Sequence, residues 1–69
     1  MKLLSIYDLK PHKGVSYSRA QIYRKVKDGS FPRPISLGEN RIAFIEAEID
    51  RWIEERIAER DRRANLTGD

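Results

Sequence analysis

The sequence contains no cysteine, which excludes disulfides and thiolate metal sites. Its single histidine, His12, has no partner set of the kind a metal centre or a catalytic base requires, and reads as an exposed loop residue. No stretch approaches the roughly 18 apolar residues of a membrane span. The opening MKLLSIYDLK carries too short an apolar run for a signal peptide, and Asp8 interrupts it. Carboxylates are plentiful at Glu46, Glu48, Asp50, Glu54 and Glu55. No nucleophile or phosphate loop accompanies them, so they read as a solvated face and not as acid–base machinery. These shortages point away from an enzyme, a cofactor, a metal site and a membrane partner. They point toward a cytoplasmic protein that works by binding. At 69 residues the chain forms one domain with a thin core.

Charge is unevenly placed along the chain. Residues 1–34 hold eight Lys or Arg against only Asp8 and Asp28, whereas residues 35–69 hold six Arg against nine Asp or Glu. A domain so polarised can turn its basic half to a polyanion and its acidic half away. A membrane surface fits poorly, because no helix joins a basic face to a broad apolar one.

The stretch SRAQIYRKVKDG, Ser18 to Gly29, has the local chemistry of a capped helix. Ser18 precedes Gln21 by three residues, the spacing of a capping box, and Tyr17 and Ile22 stand at staple positions. Ile22 and Val26 form an apolar stripe. Arg19, Gln21, Arg24, Lys25 and Lys27 fall largely elsewhere, and Gly29 sits where a left-handed residue closes a helix. Arg and Gln in the first turn have the donors and acceptors that reach base edges in a major groove. A basic face of this kind is equally at home on an ordinary solvated helix.

The same grammar occurs earlier. Ser5 and Asp8 have capping-box spacing, with Leu4 and Leu9 as the staple. Pro11 limits that helix by disfavouring helical geometry at Lys10. Two capped helices in succession suggest a helix-turn-helix, although a Pro11–Tyr17 connection exceeds the usual three or four residues. Val15 is expected to point inward. Beyond Gly29, Pro32 and Pro34 bar a helix. Ile35-Ser36-Leu37 and Arg41-Ile42-Ala43-Phe44-Ile45 then alternate around a Gly38-Glu39-Asn40 turn, which fits a β-hairpin with Arg41 at its tip. Ile35 and Leu37 share one face of it, as do Ile42 and Phe44. Arg41 there can contact phosphate or a minor groove, or simply be solvated. From Glu46 to about Arg63, the residues Ile45, Ile49, Trp52, Ile53 and Ile57 trace one buried helical stripe. Acidic residues at its start and arginines at its end suit the helix dipole. Residues 64–69 lack periodicity and read as a frayed tail beyond a 1–63 domain.

This order of elements resembles the AlpA family of prophage regulators, small DNA-binding proteins akin to phage excisionases and distantly to the MerR helix-turn-helix. The resemblance runs through SRAQIYRKVKDGSFPRPISLGENRIAFIEAEIDRWIEERIA, Ser18 to Ala58. It is carried by Ile22-Tyr23-Arg24, Gly29 through Phe31-Pro32-Arg33-Pro34, Leu37-Gly38, Arg41, Phe44, Glu48-Ile49-Asp50 and Trp52-Ile53. The chain departs from the family in the long Pro11–Tyr17 connection. The resemblance implies a winged helix-turn-helix whose second helix, 19–28, enters the major groove with Ser18, Arg19, Gln21, Tyr23 and Arg24 facing double-stranded DNA. The chemistry of those residues agrees. Arg pairs bidentately with guanine and Gln with adenine. Ser18 and the helix N-terminus suit a phosphate, and Lys25 and Lys27 add attraction independent of sequence. Tyr23 either bonds a phosphate or packs beside Ile22.

The expected fold is therefore mainly α with a small β-hairpin: two short N-terminal helices, a two-stranded wing and a long C-terminal brace. The expected function is sequence-specific transcriptional regulation of prophage or mobile-element type. Self-association or cooperative binding on DNA would compensate for the small interface of one module. An excisionase, bending DNA for an integrase partner, shares the same surface. A protein-binding adaptor using Glu46–Glu59 or Pro32-Arg33-Pro34 is the alternative outside nucleic acids.

Overall fold

The computed structural model describes residues 1–66. Strand β1 (Leu3–Leu4) pairs antiparallel with β3 (Arg41–Ile45), placing Leu3 opposite Ile45 and Leu4 opposite Phe44. On its other edge β3 pairs with β2 (Ile35–Gly38), so the sheet order is β1-β3-β2. The two-stranded wing is thus anchored by a third strand. An isolated hairpin is marginal in water, and Leu4 and Phe44, both buried, fix this one to the core. The β2–β3 turn uses left-handed Asn40 (φ 57°) and Gly38 (φ 142°).

Between Ser36 and Gly38 the β2–β3 register slips: Ser36 faces Ile42 and Gly38 faces Arg41. Leu37 is the extra residue of this bulge. Simple alternation would turn it inward with Ile35, but it stands 55% exposed.

After β1 the chain enters a short 3-10 turn, Ile6–Asp8, that runs directly into helix α1 (Leu9–Lys13). The Asp8 carboxylate accepts the Ser5 N–H at 2.9 Å. The Asp8 N–H also bonds the Ser5 carbonyl at 3.0 Å, so the expected Ser5–Asp8 capping box opens this turn. Pro11 does not end the helix. With Asp8 as N-cap, Pro11 falls in the first turn of α1, where its missing N–H would have had no intrahelical partner. His12 consequently lies on α1 and not in a loop. Left-handed Gly14 (φ 71°) closes α1, and only Gly14–Ser18 remains as the connection to helix α2 (Arg19–Asp28). Pro11, His12 and Lys13, the start of the long connection expected at Pro11–Tyr17, are helix instead.

At the start of α2, Ser18 Oγ accepts the Gln21 N–H at 3.2 Å, and Gln21 Oε1 accepts the Ser18 N–H at 2.8 Å. At its end Gly29 is left-handed (φ 85°). There the Ser30 N–H reaches the Lys25 carbonyl at 2.9 Å and the Gly29 N–H reaches Val26 at 3.2 Å, a Schellman closure.

The core is Leu4, Leu9, Val15, Ile22, Phe31, Phe44 and Ile49, with Ile6, Tyr17, Val26, Trp52 and Ile53 packed against it. Phe31 is its aromatic hub. Trp52, Phe44 and Tyr17 meet it edge to face at 4.8, 5.6 and 6.5 Å between ring centres. Trp52 is half-buried, and its indole N–H donates to the Ser30 carbonyl at 2.8 Å. This bond pins the end of α2 to the long helix α3 (Glu46–Leu66). Lys13 fastens α1 to the same helix, with Nζ 2.8 Å from Asp50 and 3.1 Å from Glu46.

The expected stripe on α3 holds through Ile53. Ile57 departs from it and is 44% exposed, because the helix runs past the core to Leu66. The dimensions, 50 × 24 × 18 Å, reflect that projection. Residues 67–69 of the expected tail lie outside those described. No helix among the described residues is long and apolar enough to cross a membrane.

Candidate nucleic-acid interface

Helix α2 presents its outer face to solvent because Ile22 and Val26 hold its inner face on the core. At 3.6 residues per turn, Ala20, Arg24 and Lys27 fall opposite that stripe, and all three are exposed. Ser18 and Gln21, also exposed, sit at the helix start with their side chains engaged in the reciprocal cap. A bidentate contact from Gln21 to a base would have to compete with the Ser18 N–H for Oε1. Lys25 lies on another flank, with Nζ 4.7 Å from the Tyr17 ring centre, a cation–π distance. Asp28 is the only carboxylate on α2. The Ser30 hydroxyl and backbone N–H hold its pKa below the ordinary carboxylate range, so it remains charged at the far end of the helix.

Arg19 lies between elements. Its Nη2 donates to the Tyr23 hydroxyl and its Nη1 to the Tyr7 hydroxyl, each at 3.4 Å. Its guanidinium carbon stands 5.7 Å from the Tyr23 ring centre. The hydrogen bond it donates to Tyr23 raises the Arg19 pKa above an already high ordinary value. Tyr23, left open between phosphate and core by its sequence position, is 43% exposed and faces Arg19. Across from Arg19, at the hairpin, is exposed Arg41. Arg19, Tyr23, Tyr7, Arg41, Asn40 and Leu37 together line an open groove of about 500 Å³ between α2 and the wing.

The expected site residues thus divide into three sets. Arg24 and Lys27 share the outer face of α2, with the Ser18–Gln21 pair at its start. Arg19, Tyr23 and Arg41 converge on the groove. Lys25 stands apart beside Tyr17. Sequence reasoning missed Tyr7, which is 73% exposed. An aromatic between the staple residues Leu4 and Leu9, off their apolar face, was the available signal.

The basic first half of the chain does not all share this surface. Lys2 and Lys13 face the acidic start of α3, within 3.9 and 3.1 Å of Glu46. They neutralise that end of the helix.

Comparison with known proteins agrees with this architecture. The family described as prophage CP4-57 regulatory protein (AlpA) matches residues 12–57, a span holding all of α2, the β2–β3 hairpin and the packed half of α3. Tyr7 precedes it. A protein of Enterobacteria phage P4, named only as uncharacterised protein ORF88, is 40% identical over 45 residues. That similarity takes in 65% of this chain and 51% of the phage protein, so the chain spans about half the length of that relative. The match extends over most of the chain and contains the helix, turn and wing just described: the chain belongs to the AlpA family of prophage regulatory proteins.

Proposed function

We propose that this chain is a sequence-specific DNA-binding transcriptional regulator of prophage or mobile-element type, with α2 as the recognition helix in the major groove and the hairpin gripping the adjacent groove. The observation that carries this reading is the outer face of α2. It is bare, it projects Arg24 and Lys27, and Asp28 is its only acid. Arg24 provides a bidentate donor for guanine. Lys27 adds charge that attracts any phosphate backbone. Ser18 and Gln21 stand at the positive end of the helix, which suits a nearby phosphate. Membership of a family of prophage regulatory proteins supports the same role.

A single module of this size covers a short site, so cooperative occupation of repeated sites or self-association belongs to the proposal. Selection of duplexes from random DNA, followed by titration at several salt concentrations, tests it. The expected result is a defined site bound with a steep salt dependence. Arg24→Ala should weaken that complex by about 1–3 kcal/mol and relax preference at one base pair. Recovery of no preferred site, with Arg24→Ala indistinguishable from the parent, would exclude α2 as the reader.

A further inference from the structure

The groove between α2 and the wing carries two arginines, two tyrosine hydroxyls and no carboxylate. We infer that it is the seat of one DNA backbone strand, held by Arg19, Arg41, Tyr7 and Tyr23, and that Arg19 clamps phosphate instead of reading a base. The inference rests on α2 entering the major groove as proposed above. A duplex with a helix in its major groove and a hairpin in the neighbouring minor groove has one phosphodiester strand running between the two. In this chain that path is the groove.

Its chemistry fits such an occupant. Each tyrosine oxygen accepts a hydrogen bond from Arg19. Each hydroxyl therefore keeps its own hydrogen to donate to a phosphate oxygen. A guanidinium has five N–H donors, so Arg19 retains others after bonding both tyrosines. Those two bonds tie its terminal nitrogens to Tyr23 on α2 and to Tyr7 on the preceding turn, which draws it away from the Arg24–Lys27 face. Bidentate recognition of guanine would require breaking at least one of them. Arg41 supplies a second charge from the opposite wall, and neither arginine has a carboxylate within ion-pair distance among the described residues. Leu37, turned outward by the bulge, offers an apolar patch for a deoxyribose.

The test pairs protein variants with single neutral methylphosphonate linkages in a duplex selected by the parent chain, bound by the 69-residue chain. Arg19→Ala should lower the slope of log affinity against log salt by about 1 and leave base preference unchanged. Tyr7→Phe should weaken binding roughly tenfold on selected and unrelated duplexes alike, since it removes a hydrogen bond to a charged group. Tyr7 is too exposed for the change to disturb folding, and circular dichroism checks this. One methylphosphonate between the two grooves should weaken the parent but not Arg19→Ala. If Arg19→Ala shifts base preference and its effect adds to that of every neutral linkage, Arg19 reads a base and the clamp is wrong, while DNA binding stands. If the parent selects no duplex at all, the DNA-binding reading falls and the clamp with it.

Discussion

Gln21→Glu separates the stability of α2 from its use. In the parent, Gln21 Oε1 accepts the Ser18 N–H at 2.8 Å, closing the cap. A glutamate at the same third helical position keeps that acceptor and is the commoner partner in a capping box. Its charge also lies in the first turn, where the helix dipole favours an anion by about 0.3–1 kcal/mol. For a domain of this size 1 kcal/mol shifts the melting temperature by about 4–8 °C. Thermal unfolding should therefore show a midpoint raised by roughly 1–8 °C. Binding should move the other way. The exposed amide at position 21 becomes an anion facing phosphates, and loss of a specific contact alone costs about 1–3 kcal/mol, or roughly 5- to 150-fold. Fluorescence anisotropy on a selected duplex measures that loss. A variant that melts higher and binds within twofold of the parent would refute placement of the α2 N-terminus against DNA.

Other perturbations probe the scaffold. Ser18→Ala should cost about 1 kcal/mol of stability, the usual penalty for losing an N-cap oxygen, read by chemical denaturation. Ile49→Ala, at a fully buried site, should cost about 2–5 kcal/mol; Ile57→Ala on the projecting part of α3 should cost far less, and equal losses would mean the helix end is packed. Trp52→Phe removes the indole donor to Ser30 and should speed amide exchange at the end of α2. In acid, Asp8 and Asp28 both have pKa values lowered by hydrogen bonds with Ser5 and Ser30. Their contribution is present above the ordinary Asp pKa and is lost as pH falls through the depressed native values, so an Asp8→Asn, Asp28→Asn double variant should show a shallower loss of stability below about pH 4.

Much of this fold is legible from neighbouring residues alone. Ser18, Gln21 and Gly29 delimit α2 because caps are local chemistry. Asn40 marks the hairpin turn for the same reason, and Ile49, Trp52 and Ile53 declare the packed face of α3 by their spacing. What stayed hidden depends on distant or irregular contacts. Leu3–Leu4 is too short to alternate, and only Phe44 and Ile45 across the chain make it a strand. Pro11 looks like a stop until the 3-10 turn before it supplies the first-turn position where proline is tolerated. Leu37 obeys a period of two that the bulge interrupts, and Ile57 continues a stripe after the core has ended.

The candidate site shows the same division. The outer face of α2 follows from its own sequence, so Arg24 and Lys27 could be placed by counting. The groove could not, because Tyr7, Arg19 and Arg41 come from three elements whose approach is set by the Phe31–Trp52 core and the third strand. Lys13 shows the converse. Counted among basic residues it belongs to the half expected to face a polyanion, yet Asp50 and Glu46 hold it at the start of α3 and raise its pKa.

The most direct measurement is an amide and side-chain NMR titration of the full chain with a selected duplex. The expected result is a set of perturbed signals over Ser18–Lys27, Tyr7 and the Asn40–Arg41 turn, with Ile53–Ala64 of α3 unmoved. Perturbations confined to α3 and the Pro32–Pro34 segment, with α2 silent, would contradict it.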